Sequence, residues 1–108
     1  MTTAHDFHTP HQLLTLIVPW ALAEAVEDLL LAHPEIVPGF TSSRTDGHGS
    51  EVRLVSAAER VRGHAQRMRF QLLADAAELQ QIRALLSPRF DGSGIFYWVT
   101  PVVEAGRL

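Results

Sequence analysis

Residues 67–78 read Arg-Met-Arg-Phe-Gln-Leu-Leu-Ala-Asp-Ala-Ala-Glu. Met68, Phe70 and Leu72 alternate with Arg67, Arg69 and Gln71, the period-two pattern of a strand with one buried face. Asp75 and Glu78 then have the spacing of a capping box, which opens a helix to about Leu86. Leu79, Ile82, Leu85 and Leu86 line its inner side, and Pro88 is expected to stop it. Beyond lies Asp91-Gly92-Ser93-Gly94, a glycine turn that feeds an apolar strand from Ile95 to Val103. This half of the chain therefore reads β-α-β.

The first half repeats that order. Leu13 to Val18 is a nearly continuous apolar run bounded by Pro19, the signature of a buried strand. A helix follows from about Trp20 to Ala32, with Leu22, Val26, Leu29 and Leu30 on one stripe and Glu24, Glu27 and Asp28 off it. Pro34 closes the helix. A second strand runs from about Val37 to Thr45, rich in Thr and Ser as suits an edge. The full order, β-α-β-β-α-β, predicts an α+β ferredoxin-like domain: a four-stranded antiparallel sheet with two helices on one face. Residues 1–11 read as a flexible tail and 12–108 as one domain. Residues 46–65 are a long connection in which Ser56 and Glu59 have the spacing for one capped turn.

Composition narrows the function. Hydrophobic residues make up 46% of the 108, enough for a packed core. A net charge of -3 argues against a general nucleic-acid binder. The absence of Cys removes thiolate chemistry and disulfides, and fits the cytoplasm. Every basic residue is Arg, so lysine mechanisms are also removed. No serine sits in a nucleophile elbow and no carboxylate pair is tied to one helix face, so the chain reads as a non-enzyme.

Two glycine turns are the candidate site. Gly39-Phe40-Thr41 leads through a polar strand to Gly47-His48-Gly49, and Asp91-Gly92-Ser93-Gly94 is the other. Without a Cβ, backbone N–H groups there are open to an anion, and the Thr41 hydroxyl can bond a base edge. The alternative is that both are ordinary turns. His48 and His64 are candidate ligands for a divalent metal, with His5, His8 and His11 in the tail and Asp46 nearby. Their spacing matches no structural zinc motif. Arg53, Arg60, Arg62, Arg67 and Arg69 crowd one third of the chain, interleaved with Glu51 and Glu59 as a solvated surface would be.

The chain resembles the PII signal-transduction superfamily. Gly39-Phe40-Thr41 and Gly47-His48-Gly49 are similar to the PII stretch before its long T-loop, and Asp91-Gly92-Ser93-Gly94-Ile95-Phe96 to the PII B-loop motif Asp-Gly-Lys-Ile-Phe. A nearer resemblance is to a small PII-like family often encoded beside bacterial heavy-metal efflux pumps. It rests on Leu13-Leu14-Thr15-Leu16, Glu59-x-Val61-x-Gly63, Arg69-Phe70-Gln71, Tyr97-Trp98-Val99, Pro101-Val102 and Glu104-x-Gly106-Arg107-Leu108. The resemblance implies a homotrimer with effector clefts between subunits, an adenine nucleotide or other anion as effector, and signalling through the 46–65 loop to a transporter component. It adds Arg107 to the candidate site. Ser93 and Gly94 replace the B-loop lysine, and Ser50 and Glu51 stand where PII proteins carry the T-loop arginine. Independently, two helices cover one sheet face only, so Phe96 and Trp98 are expected on a bare apolar surface that favours self-association.

Overall fold

The computed structural model describes residues 11–49 and 65–108. Strand β1 spans His11–Pro19, followed by a 3-10 turn over Trp20–Leu22 and helix α1 over Ala23–Leu31. Strands β2 and β3 span Thr41–Gly47 and Ala65–Ala74, helix α2 spans Ala76–Phe90, and β4 spans Phe96–Val102. The sheet order is β2-β3-β1-β4, and each neighbouring pair is antiparallel. Each helix thus links two strands that lie on either side of a third. This is the expected α+β ferredoxin-like βαββαβ fold, with two helices on one face of a four-stranded sheet.

The register sorts side chains to two faces. Leu14 pairs with Leu72 and Val99, and Leu16 with Phe70 and Tyr97. These face the helices. Leu14, Leu16, Val18, Phe70 and Leu72 are buried in one cluster with Val26, Leu29 and Leu30 of α1 and Leu79, Ile82 and Leu86 of α2. Phe40 leans on Phe70 with ring centroids 5.8 Å apart, which fastens the approach to β2.

Several boundaries differ from the sequence reading, each for a local reason. Helix α2 runs past Pro88 to Phe90. A proline in the last turn removes a single N–H, and the end is still closed by Asp91 N–H donating to the Ser87 carbonyl at 3.0 Å. Strand β2 begins at Thr41 rather than Val37. The N–H groups of Ile36 and Val37 donate instead to the His33 carbonyl, at 3.0 and 2.8 Å, and Pro38 has no N–H to offer a ladder. Strand β2 also takes in Gly47, which pairs with Ala65. The first helical stretch opens as 3-10 before α1. Strand β4 is the shorter Phe96–Val102. Its Pro101 is tolerated because β4 is an edge strand. His11, expected at the end of the tail, is buried as the first residue of β1.

The capping box is present as read. Glu78 N–H donates to the Asp75 carboxylate at 2.8 Å, and Asp75 N–H donates to the Glu78 carboxylate at 2.9 Å. The other predicted capped turn, Ser56 with Glu59, lies outside the described residues, as do His5, His8 and most of the 46–65 connection.

The face away from the helices is mixed rather than uniformly apolar. Phe96 and Trp98 lie there 65% and 42% exposed, their rings 5.9 Å apart. Towards β2 the same face carries Arg69, Gln71, Thr41, Ser43 and Thr45. Arg67 departs from the solvated surface expected of it: it is 7% exposed and donates from one guanidinium nitrogen to the Gln66 carbonyl at 3.0 Å.

Candidate functional site

Helix α2 and the turn after it build a cleft against the β4 edge. The spacing of Arg83, Ser87 and Phe90 puts all three on one side of α2, beside its buried Leu79-Ile82-Leu86 stripe. The turn Asp91-Gly92-Ser93-Gly94 closes one end, and Ile95 and Tyr97 of the β4 segment form the opposite wall. Leu16 lies at the floor. The cleft is open to solvent on one side and has a volume of about 230 Å³.

Its geometry depends on the two glycines. Gly92 and Gly94 have φ of +74° and +88°, where a side chain is strained. A Cβ at Gly92 would meet nothing within 4 Å, so that approach is open. Ser93 N–H donates to the Phe90 carbonyl at 3.1 Å, and the Ser93 hydroxyl oxygen accepts from Ile95 N–H at 3.4 Å, which holds the turn to α2 and to the start of β4. The N–H groups of Gly92 and Gly94 donate to no backbone carbonyl among the described residues.

The wall opposite the turn carries charge and aromatic surface. The Arg83 guanidinium carbon stands 5.9 Å from the Tyr97 ring centroid, at the outer limit of a cation–π contact. Tyr97 is on the helix side of β4 and about half exposed, so its ring is available to a ligand. Arg83, Ser87 and Phe90 were not legible as site residues. The signal was there in their helical spacing, but it points to a site only once the turn folds back on α2.

The sequence candidates fall into two groups that one protomer keeps apart. Asp91, Gly92, Ser93 and Gly94 line the cleft at the β4 edge. Thr41, Gly47, His48 and Gly49 belong to β2, the opposite edge, or follow directly from it. Three strand spacings, about 14 Å, separate the two edges. Both groups nonetheless sit near the same end of the sheet. Gly94 lies against Pro19, Pro19 pairs with Arg67, and Arg67 pairs with Thr45. Thr41 is further along, level with Gln71. Arg107 is exposed beyond β4, whose last residue, Val102, pairs with His11 at the other end of the sheet. Arg107 does not line the cleft.

Metal ligands do not converge in what is described. Among the described residues no three His, Asp or Glu side chains are placed to hold one ion. His48 is exposed just past β2. His64 lies outside the described residues. Among the described residues, no helix is long and apolar enough to cross a membrane.

Comparison with known proteins agrees with this architecture. The fold is that of PII-like signalling proteins. The pattern of a family of proteins of unknown function, DUF3240, matches residues 8–108, and the chain belongs to that family. A DUF3240 family protein from Shewanella baltica is 22% identical, with 93% of this chain and 98% of that chain covered and a TM-score of 0.73. CPII, a nitrogen regulatory PII-like protein from Thiomonas intermedia bound to ADP, AMP and bicarbonate, is 20% identical over 93% of this chain and 97% of its own, with a TM-score of 0.66. A PII-like signalling protein from Thermus thermophilus is 18% identical over 87% of each chain, with a TM-score of 0.60. At these identities the likeness concerns the fold. No curated protein matches the chain in sequence.

Proposed function

We propose that this protein is a PII-like, non-enzymatic regulator that binds an adenine nucleotide between copies of itself. One observation carries the reading: two glycine-bearing half-sites lie at the same end of the sheet but on opposite edges. A single protomer cannot close both on one ligand. A second copy, set with its β2 edge against the first copy's β4 edge, does so. That contact joins unlike surfaces, so it closes only as a ring, and a trimer is the ring that the PII resemblance implies. The cavity size supports the same view. At about 230 Å³ it is smaller than the roughly 300–1,000 Å³ of a complete small-molecule pocket, as half a site would be.

In this reading the glycine turn of one copy and Thr41, Gly47, His48 and Gly49 of the next face a shared nucleotide. Binding changes the 46–65 connection by its differential affinity for two states of that segment. The partner that reads the change is a component of a cytoplasmic-side heavy-metal export system, for which the support is the family resemblance. The protein works in the cytoplasm, as its lack of cysteine suggests.

The test is complementation. Calorimetry with ADP and AMP should show binding to the wild type. Gly47→Glu and Gly92→Asp should each abolish it, the second tolerated by the backbone because Asp adopts positive φ more readily than most residues. Mixing and refolding the two variants should restore roughly a quarter of the sites, because random rings place intact edges face to face at that frequency. A stable monomer at micromolar concentration in sedimentation, or a mixture with no recovered binding, removes the reading.

A further inference from the structure

We propose that Arg83 is the anion-binding residue of the cleft, holding a phosphate group of the effector against the Gly92–Gly94 turn. The proposal rests on the effector reading above and adds the residue that selects the ligand's charge. Arg83 stands one helical turn before Ser87 and two before Phe90, on the side of α2 that faces the cavity. Among the described residues its side chain meets the Tyr97 ring, at 5.9 Å. No carboxylate among the described residues forms an ion pair with it, although Asp91 lines the same cavity. A guanidinium in that position presents its fork of donors to whatever enters.

The rest of the lining completes the preference. The Gly92 and Gly94 N–H groups add donors that no backbone carbonyl among the described residues takes up. Phe90 and Tyr97 add flat apolar surface. The Asp91 carboxylate borders the same turn, so the Arg83 charge and the glycine N–H groups together outweigh it at the anion, while Asp91 accepts from a hydroxyl or amino group attached to that anion. A phosphate joined to a sugar and a planar base meets all of these demands. Inorganic phosphate alone satisfies only the first.

The test compares ligands as well as variants. ADP, AMP, adenosine and inorganic phosphate are titrated into the wild-type oligomer, Arg83→Gln and Arg83→Lys by calorimetry, at two salt concentrations. Arg83 is exposed on its helix, so both variants should keep the wild-type circular dichroism. The expected result is that Arg83→Gln weakens ADP about 10-fold or more, the loss typical of a charged hydrogen bond, and flattens the salt dependence. Adenosine should be unaffected, and Arg83→Lys should recover part of the loss. If Arg83→Gln binds ADP as the wild type does while Gly92→Asp does not, the effector site stands and the role of Arg83 falls. An equal loss for adenosine and ADP would assign Arg83 to the scaffold and overturn the proposal. If the wild-type oligomer binds none of the four probes, both the effector reading and this one fail.

Discussion

The two edges of the sheet are built alike and left in different states. Strands β2 and β4 each pair antiparallel with one inner strand, and no other strand among the described residues pairs with their outer sides. Strand β2 reads Thr-Ser-Ser-Arg-Thr-Asp-Gly, with polar side chains on both faces. Water satisfies such an edge, and its charges discourage chance pairing. Strand β4 reads Phe-Tyr-Trp-Val-Thr-Pro-Val, and its three aromatic residues remain between 42% and 65% exposed. Apolar surface of that kind is seldom left bare in a soluble monomer. In the proposed assembly β4 is therefore the adhesive edge, and β2 is the one that offers polar groups to a ligand seam.

That contrast can be broken most severely from between the edges. Phe70 is fully buried in β3 and holds the sheet to the helices. Phe70→Ala should cost about 3–5 kcal/mol in urea unfolding, enough to dissolve both edges at once. Next in size is the loss of assembly. Trp98→Asp should raise the self-dissociation constant by about 10-fold or more in sedimentation, as truncating a central aromatic anchor does. Ser42→Asp, on the polar edge, should leave assembly in place. Equal effects of the two would erase the distinction between the edges.

Smaller effects sharpen the contrast. Asp75→Ala removes the cap of α2, the helix that backs the β4 edge, and should cost about 1 kcal/mol. On the β2 side, the Arg44 guanidinium lies 4.7 Å from the Trp20 ring centroid and ties the polar strand to the turn after β1. Arg44→Ala should cost only about 0.5–1 kcal/mol, measured by thermal unfolding. Smallest is Glu35, whose carboxyl is held below the usual carboxylate range by its own backbone N–H and by the His33 ring, 3.1 Å away. Since its folded value is the lower one, its stabilising contribution is present above the unfolded carboxylate pKa and is lost as pH falls through the folded value. The melting-temperature difference between wild type and Glu35→Gln should therefore shrink on acidification, and a constant difference would refute the assignment.

Much of this architecture was readable from particular residues. The alternation around Phe70, the apolar run from Leu13 to Val18 and the Asp75–Glu78 box led to the right elements in the right order. These signals are local, because a strand's two-residue period and a cap's three-residue spacing hardly depend on what lies elsewhere. Boundaries failed where a tertiary or turn hydrogen bond competed, as at Val37, whose N–H bonds back to His33, and at Pro88, which the helix absorbs. The alternation around Arg67 misled in the same way, since it marks a face but not what covers it.

The candidate site divides along the same line. Glycine turns declare themselves in a chain because no Cβ covers their backbone N–H groups, and Asp91–Gly94 is a candidate on that basis. That Arg83 and Tyr97 face each other across a cavity is settled only when α2 docks beside β4. The separation of His48 from Gly92 by the width of the sheet likewise follows from strand order, which depends on how non-adjacent strands pair. Local spacing specifies turns, caps and periods through bonds a few residues long. Which of those pieces share a cleft depends on long-range burial, and burial exists only in the folded chain.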